Sequence, residues 1–323
     1  MKLRCYTSFF VKRARFLLWS CSAASATGFI SGLIPQGRFS ELHWLLEAFA
    51  HWQWVYLILG LVCLLVLTIY ARVWGSIIPA LVVAGSFFSS SEVLPSAQAL
   101  TGQEPTLTVV SANLNFTLTE FDEISRWLMT EKPDLAFFQE YTEQAQQAFA
   151  TQALREQYPY RVEVPQYDQF GLAILSRFPI TDVQQIHPKS LKETLRLRAS
   201  VVWAGRTVFL SALHPMPPLD SGYLEARDQA LLEEAKLLLQ AGEWALMVGD
   251  FNTTPWVRGM SAIEGQLLRA SGLSGTWPNA FGWLSVLPLD HVLASSGWRL
   301  VDADLGPDLG SDHRPVIVRL TAQ

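Results

Sequence analysis

Long apolar runs occupy the first hundred positions, whereas from Thr106 onward short apolar runs alternate with polar ones. Three of the early runs, at about 16–34, 54–70 and 73–94, approach the length of about 20 residues that a helix needs to cross a bilayer. The second run has no charged residue, and Trp54 and Tyr70 lie near its ends as interfacial aromatic residues do. The pattern predicts an N-terminal bundle of about three transmembrane helices.

Basic residues set the expected orientation of these spans. Before the first span come Lys2, Arg4, Lys12, Arg13 and Arg15, and Arg72 lies between the second and third. Basic flanks favour the cytoplasm, so three crossings place the following region on the periplasmic or extracellular side of a multi-pass cell (inner) membrane protein. The alternative is that the first segment is a signal peptide cleaved near Ala24-Ser25-Ala26, which leaves that region on the same side.

The remaining sequence predicts one α/β domain. Residues 1–95 form the predicted anchor, 96–105 a short linker, and 106–323 the domain, in which strand-like and helical patterns alternate. The predicted strands are 107–113, 135–140, 171–176, 195–203, 207–214, 244–249, 289–293, 298–303 and 315–320. The predicted helices are 119–129, 142–157, 219–240 and 260–270. The helix at 219–240 carries an apolar stripe that includes Leu224, Leu231, Leu232, Ala235, Leu238 and Leu239.

Charge separates the two regions. Residues 1–100 hold 7 of the 24 basic and 3 of the 29 acidic residues, which leaves 17 basic and 26 acidic residues, a net charge of −9, in residues 101–323. That balance lacks the general electrostatic footprint of a protein that binds duplex nucleic acid without regard to sequence. The three cysteines, Cys5, Cys21 and Cys63, all precede the domain, so disulfides do not stabilise it.

Polar residues suited to chemistry recur where the predicted strands end. The clearest case is Gly249-Asp250-Phe251-Asn252, where Asp250 and Asn252 are two positions apart and can face the same way at strand spacing. The other strand-end residues are Asn113, Glu140, His214, Asp290, Asp312 and His313. Burying such groups is costly unless they share a task such as binding a cation. The sequence therefore predicts one hydrolytic site at a sheet rim, because a carboxylate can deprotonate water while an amide fixes geometry.

Seven short motifs follow one another in the domain. They are Ser-Ala-Asn-Leu (111–114), Phe-Gln-Glu (138–140), Gly-Leu-Ala-Ile-Leu-Ser-Arg (171–177), Leu-His-Pro (213–215), Gly-Asp-Phe-Asn (249–252), Leu-Asp-His (289–291) and Ser-Asp-His-Arg-Pro (311–315). In this order the region resembles the endonuclease/exonuclease/phosphatase superfamily, the deoxyribonuclease I-like metal-dependent phosphoesterases, here as a bacterial-type membrane-anchored member. The resemblance implies a four-layer sandwich of two packed β-sheets flanked by helices, and a hydrolase acting on phosphate ester bonds.

The resemblance also implies residue roles. Glu140, helped by Asn113 and Asp312, would bind Mg²⁺, with Mn²⁺ as an alternative, and oxygen ligands suit both ions. Asp250 would position the attacking water and Asn252 the phosphoryl oxygens. His313, oriented by Asp290, would contact the scissile phosphate, and His214 matches a second family histidine. Nuclease members orient that histidine with a glutamate; Glu163 and Asp168 are nearby candidates for this role here, but neither lies in a motif.

Several residues have a structural alternative. Glu140 could cap the helix that follows it, His214 could be a turn residue before Pro215, and His291 is expected to be structural. Arg196 and Arg198 share one strand face, which suits either a phosphate clamp or a solvated surface. Arg177 is open to the same two interpretations.

The expected function is a membrane-anchored, Mg²⁺-dependent phosphoesterase with the lipid bilayer as a partner through its spans. A short tether and an acidic domain slightly favour a lipid or small phosphoester as substrate. The alternatives are an endonuclease or exonuclease that takes nucleic acid as partner, and a non-catalytic membrane-tethered binding domain. No protein partner can be inferred.

Overall fold

The computed structural model describes residues 2–34, 39–70, 72–89, 97, 104–264 and 266–323. The chain divides into two compact units. The helical unit comprises Met1–Glu92 and Thr254–Ser261, and the α/β unit comprises Val93–Thr253 and Ala262–Gln323. Residues 254–261 belong to the helical unit although they lie within the range predicted for the α/β domain. Most of the predicted linker at 96–105 lies outside the described residues.

The helical unit contains five α-helices from the N-terminal part of the chain as described. They are α1 (Lys2–Ser25), α2 (Thr27–Leu33), α3 (Ser40–Ala50), α4 (Gln53–Ile69) and α5 (Ile77–Phe88), the last preceded by a 3₁₀ turn at Trp74–Ser76. Among the described residues, the stretch Ser8–Leu33 is long and apolar enough to cross a membrane. Helices α3 and α4 meet this test only as one span bent by 54°, and Trp74–Phe88 is apolar but shorter. The described helices therefore allow one or two crossings by length and composition, and the count of three stays a prediction.

Side-chain contacts fix the segment 254–261 within the helical unit. The Nε1 atom of the buried Trp256 donates a hydrogen bond of 2.9 Å to the Phe87 carbonyl oxygen, and the two rings lie 5.4 Å apart. Arg258 donates to the Ile34 carbonyl oxygen at 3.0 Å, and His51 Nδ1 lies 2.9 Å from Thr254 Oγ1. Because these polar groups are paired and the indole is buried, the segment is an integral part of this unit.

The α/β unit contains two six-stranded mixed sheets. In chain order its strands are β1 (Thr106–Asn113), β2 (Leu135–Gln139), β3 (Tyr160–Val164), β4 (Leu172–Ser176), β5 (Ile180–Ile186), β6 (Arg196–Trp203), β7 (Arg206–Leu213), β8 (Ala245–Asp250), β9 (Leu268–Arg269), β10 (Asp290–Ala294), β11 (Trp298–Leu305) and β12 (Val316–Ala322). One sheet has the order β11-β12-β1-β2-β4-β3 and the other β5-β6-β7-β8-β10-β9. The helices are α6 (Asp122–Glu131), α7 (Glu143–Ala148), α8 (Gln152–Gln157), α9 (Ser221–Ala241) and α10 (Arg258–Glu264), of which α10 begins in the helical unit.

The two sheets pack face to face around one apolar core. Val109 and Phe137 from the first sheet share this core with Val208 and Val248 from the second. Alternate residues of the first sheet face outward and form a second core with helices α6, α7 and α8. Helix α9 packs on β7 and β8 of the other sheet. The structure thus confirms an α/β fold of two packed sheets flanked by helices.

Element boundaries differ from the sequence prediction where the local pattern is weak. Strands β3, β5 and β9 were not predicted; β5 reads Ile-Thr-Asp-Val-Gln-Gln-Ile and is largely exposed, so it lacks the apolar face that marks a strand. The helix predicted at 142–157 is two helices, because Thr151 caps a second start by accepting from the Leu154 amide. The helix predicted from Thr119 begins at Asp122, and the one predicted at 260–270 is α10, after which residues 268–269 form β9.

Helix α9 also differs in which side chains it buries. Leu232 and Leu239, which the predicted stripe included, are exposed. Arg227 and Glu234 are buried instead, on the same face as Leu224 and Leu231. The stripe was misread because an apolar pattern assigns no place to a charged residue that is paired in the interior.

Candidate active site

One edge of the α/β unit collects the predicted site residues, and we call it the rim. Strands β1, β2, β7 and β8 end there. Strands β4, β6, β10 and β12 begin there, as the pairings Gln139 with Leu172, Leu213 with Arg196, and Asp250 with Asp290 establish. Since the rim brings the ends of both sheets together, polar side chains distant in sequence meet at one place.

Asp250, the last residue of β8, is the centre of the site. Its Oδ2 atom lies 3.1 Å from Asn113 Nδ2, 3.4 Å from His214 Nε2 and 3.6 Å from His313 Nε2. Its Oδ1 atom accepts the Asn252 amide at 2.8 Å. Burial alone would raise the pKa of this carboxyl, but His313 and then His214 outweigh burial and lower the pKa well below its ordinary value. Asp250 is therefore a carboxylate at neutral pH, and it can accept a hydrogen bond from water.

Glycine at 249 allows β8 to approach the strand that carries His214. A Cβ atom at this position would lie 1.9 Å from the Leu213 carbonyl oxygen, and the φ angle is +156°. No side chain fits such a contact without displacement of backbone. The glycine thus brings Asp250 next to the residue that follows β7.

Glu140 and Asn113 form the second part of the site. The Asn113 amide nitrogen donates to Glu140 Oε1 at 2.9 Å and to Asp250 Oδ2 at 3.1 Å. The Glu140 Oε2 atom accepts the Phe116 amide at 2.8 Å. Glu140 does not cap α7, because the Thr142 hydroxyl accepts the Ala145 amide in that role. The two carboxylates that meet at this amide group offer oxygen ligands, which suit a hard divalent cation such as Mg²⁺, while the Asn113 Oδ1 atom accepts the Asn115 backbone amide at 2.9 Å.

Asp312 lies apart from these two residues. Its side chain is exposed, and its Oδ2 atom accepts from Trp277 Nε1 at 3.0 Å. Among the hydrogen bonds and ion pairs of the described part of the chain, none joins Asp312 to Glu140 or Asn113. The structure thus brings together two of the three predicted metal ligands.

His313 is held between two carboxylates. Its Nδ1 atom lies 2.8 Å from Asp290 Oδ2, and its Nε2 atom faces Asp250. Burial alone would lower the pKa of His313, but Asp290 and Asp250 outweigh it and raise the pKa to about 10. Burial also raises the pKa of Asp290. We place the shared proton on His313, since the imidazole contacts two acids, and the ring is then a cation at neutral pH. The ligand-capable atoms of Asp250, Asp290 and His313 all lie within 4.8 Å of one another, close enough to hold a metal ion.

His214 is oriented by a main-chain atom. Its Nδ1 lies 3.1 Å from the Gln169 carbonyl oxygen, which fixes Nδ1 as the donor and turns Nε2 toward Asp250 and Asn252. Burial opposes protonation of this ring, but Asp250 raises its pKa above the ordinary value. The two acids considered from sequence have other partners: Glu163 accepts from the Tyr141 hydroxyl, and Asp168 accepts from the Phe170 amide.

Asn252 is placed by its backbone as well as its side chain. Its φ angle is +48°, and its side-chain Nδ2 atom donates to the Pro215 carbonyl oxygen at 3.0 Å. Arg227, buried on α9, donates to the Asn252 carbonyl oxygen at 3.1 Å. Sequence reasoning missed Arg227, and the only signal was an arginine in register with an apolar stripe.

Arg196 and Arg198 are mostly buried and paired with acids, so they do not form a solvated face. Arg198 donates two bonds of 3.0 and 2.8 Å to the buried Glu234, and Arg196 contacts both Glu233 and Glu234 at 3.0 Å. Arg177 pairs with Asp134 at 2.9 Å. These arginines balance acids of the fold. His291 is structural in its contacts, because Nε2 meets the Thr253 carbonyl oxygen and Nδ1 the Ser271 hydroxyl.

Solved structures share this fold. A humanized Danio rerio (D. rerio) TDP2 aligns with a TM-score of 0.55 and 19% identity over 67% of this chain and 99% of that one. An endonuclease/exonuclease/phosphatase family protein from Bacteroides thetaiotaomicron aligns with a TM-score of 0.53 and 20% identity, over 68% of this chain and 99% of that one. TDP2 from Caenorhabditis elegans aligns with a TM-score of 0.58 and 15% identity, over 81% of this chain and 89% of that one. At these identities the likeness establishes the fold alone.

The sequence itself establishes the family. A search among curated proteins finds no match. A model of the family described as Endonuclease/Exonuclease/phosphatase family matches residues 110–313, which include every site residue described above. This chain belongs to the endonuclease/exonuclease/phosphatase family and is a metal-dependent phosphoester hydrolase.

Proposed function

We propose that this protein is a membrane-anchored, Mg²⁺-dependent phosphoesterase that hydrolyses a phosphodiester or phosphomonoester by direct attack of water. One observation carries the proposal: the Asp250 carboxylate lies within 3.6 Å of two histidines and an asparagine. An ionised carboxylate at this point can orient and deprotonate water, while cationic and amide donors around it stabilise a phosphoryl group that gains charge.

The residue roles follow from these contacts. Asp250 holds the attacking water and takes its proton. His313, kept protonated by Asp290, donates to a phosphoryl oxygen or to the leaving oxygen. Asn252 and His214 contact the remaining phosphoryl oxygens, because each has a nitrogen at the same point of the rim. Arg227 keeps Asn252 in position.

Glu140 and Asn113 would hold the divalent ion, and Asp312 remains a proposed third ligand. A bound Mg²⁺ would supply charge stabilisation at the phosphoryl group. The same ion would relieve the repulsion between Glu140 and Asp250, which now meet at the Asn113 amide.

The substrate we favour is a lipid or small phosphoester. The net charge of −9 on residues 101–323 opposes tight binding to long nucleic acid, and the helical unit exposes large apolar side chains such as Phe16, Phe29 and Trp74 to its surroundings. Anchorage by residues 1–95 would keep the site close to a membrane surface. We also propose a multi-pass inner-membrane location with residues 106–323 outside the cytoplasm, which the basic residues before the first span support.

Nucleic acid is the second candidate. The observation that favours it is a structure of D. rerio TDP2 complexed with a single-strand DNA product, which shares the fold at 18% identity and a TM-score of 0.55. A panel on the purified full chain at fixed Mg²⁺ and salt, with duplex DNA, single strands, phospholipid and inositol phosphates, separates the two. Efficient cleavage of nucleic acid without activity on the other substrates would reverse our preference.

Metal dependence is tested on the full chain in detergent with a chromogenic phosphodiester. We expect activity with Mg²⁺ or Mn²⁺ and its loss in chelator. Asp250→Asn should lower kcat by about 100-fold or more, the scale of losing one polar group that acts in the transition state. Glu140→Gln should raise the Mg²⁺ concentration needed for half-maximal activity while the melting temperature stays close to that of the unmodified chain. Full activity in chelator would refute the metal assignment.

A further inference from the structure

The α/β unit concentrates its most exposed apolar side chains on one edge. In its described part, five large apolar residues expose more than 60% of their surface: Tyr167 at 93%, Leu191 at 94%, Leu219 at 65%, Phe281 at 63% and Trp283 at 87%. A soluble protein seldom exposes such side chains together unless they bind something.

All five lie in loops of the rim. Tyr167 is in the loop from β3 to β4 that also supplies the Gln169 carbonyl to His214. Leu191 is in the loop from β5 to β6, and β6 begins opposite Leu213. Leu219 follows His214 by five positions. Four loops from both sheets therefore place apolar side chains around one catalytic centre.

The fourth loop is tied directly to the site. Phe281 and Trp283 belong to the 3₁₀ segment Asn279–Leu284, and the Asn279 amide donates to the Asp312 carbonyl oxygen at 2.7 Å. The Asn279 side chain also donates to Asp308 and to the Ser311 carbonyl oxygen. These bonds hold the segment beside His313, while its aromatic side chains remain exposed.

Aromatic and aliphatic side chains at an edge fit the interfacial zone of a bilayer, where Trp and Tyr are enriched. The four loops (165–170, 187–194, 215–220 and 278–286) carry two lysines and three acids, so charge attraction does not explain a partner here. The chain also passes from this rim, after Thr253, into a segment that belongs to the apolar helical unit. Both facts favour a neutral lipid surface over nucleic acid.

We propose that Tyr167, Leu191, Leu219, Phe281 and Trp283 form a ring that inserts into the lipid interface around the active site. The ring would let a headgroup phosphate reach Asp250 and His313 without leaving the bilayer. This inference rests on the proposed membrane anchorage and narrows the substrate to a phosphoester presented at a lipid surface.

Depth-dependent quenching tests the ring on the full chain in phosphatidylcholine bilayers that contain doxyl-labelled lipid. The Trp283→Cys and Leu191→Cys variants, each made in a chain whose three native cysteines are replaced by alanine, carry an environment-sensitive fluorophore at the new cysteine. The matched control is the same label at Val202, which is also exposed and apolar but lies at the far end of β6 from the rim.

Quenching by doxyl lipid should be about threefold stronger at 283 and 191 than at 202, since only lipid-inserted labels approach the quencher. Equal quenching at the three positions, with full access of aqueous iodide to the rim labels, would overturn the proposal. Trp283→Ser should lower hydrolysis of a vesicle phospholipid several-fold relative to hydrolysis of the soluble phosphodiester, and an unchanged ratio would count against the ring. Because quenching does not depend on turnover, rim quenching in a chain inactive on every phosphoester would refute the proposed function and leave the ring standing.

Discussion

Two site residues adopt backbone angles that side chains seldom tolerate. The φ angles of Glu140 and Asn252 are +55° and +48°, in the left-handed region. Such positions cost free energy and persist where the surroundings fix them, which is common at catalytic sites. Asparagine tolerates this region, but glutamate at 140 gains nothing from it locally. The angle at Glu140 is explained by its contacts with Asn113 and the Phe116 amide.

Substitution can separate the contribution of the Asn252 side-chain amide to turnover from the effect of its backbone angle on stability. Asn252→Gly and Asn252→Ala both remove the amide, so kcat should fall by a similar factor, about 100-fold, in both. Only alanine resists the left-handed angle, so Asn252→Ala should unfold more easily than Asn252→Gly by about 1 kcal/mol. Chemical denaturation in detergent with parallel turnover assays measures both quantities. Equal stability of the two variants would show that this backbone angle is not retained in solution.

His291 predicts how stability changes in mild acid. Burial, outweighing its hydrogen bonds to neighbouring groups, lowers the pKa of His291 from 6.5 to about 4. Between these values the unfolded chain binds a proton that the folded chain rejects, so stability is complete above 6.5 and falls as the pH drops toward 4. The loss from this group is at most about 1.4 kcal/mol per pH unit. His291→Gln should show a shallower decline of melting temperature over that window, and an identical decline would assign it to other groups.

At the scale of elements, helix α9 shows how charge can be built into a core. Its buried face holds Glu234, which is fully enclosed by Arg196, Arg198 and the Ser211 hydroxyl at 2.8 Å. Next to it Glu233 is half exposed, pairs with Arg196 and accepts a hydrogen bond from Gln229 at 3.1 Å. An ion pair in the interior is costly to break, because the remaining charge is left without a partner.

Adjacent glutamates on α9 therefore make a matched pair of variants. Glu234→Ala should destabilise the α/β unit by about 3 kcal/mol or more, whereas Glu233→Ala should cost less than about 1 kcal/mol. Thermal unfolding of the full chain in detergent compares them. If the two substitutions proved equivalent, Glu234 would not be neutralised as the structure indicates.

The same elements explain what the sequence could reveal. Strands such as β8 and β10 were predicted because their apolar runs are unbroken, and the polar residues at their ends marked the rim. Asp250, His214, His313 and Asn113, which the structure brings together, were named from the sequence because their side-chain types suit hydrolysis. The Gln169 carbonyl that orients His214 left no sequence signal, since every residue has a carbonyl. Arg227 was missed because its contact with the Asn252 carbonyl oxygen depends on how α9 packs in the folded domain, which the sequence pattern does not show.

At the scale of the whole molecule, the orientation in the membrane is open to direct test. The basic residues before the first span predict that residues 106–323 lie outside the cytoplasm. A phosphatase reporter fused after Gln323, which is active only outside the cytoplasm, should be active. A reporter that fluoresces only in the cytoplasm should be dark at the same position. The reverse pattern would reverse the orientation and move the substrate to the cytoplasmic leaflet.

Residues 254–261 give the molecule a property that a simple tail anchor lacks. Trp256 and Arg258 are bonded into the helical unit, yet they lie within eight positions of Asp250 in the chain. The helical unit is consequently built from two separate stretches of the chain, and a deletion of residues 1–100 removes only one of them. Such a truncated product would keep Trp256 without its Phe87 partner. The N-terminal helices and the α/β unit should therefore evolve together. Recombination that exchanges the N-terminal helices alone should yield poorly soluble chimaeras.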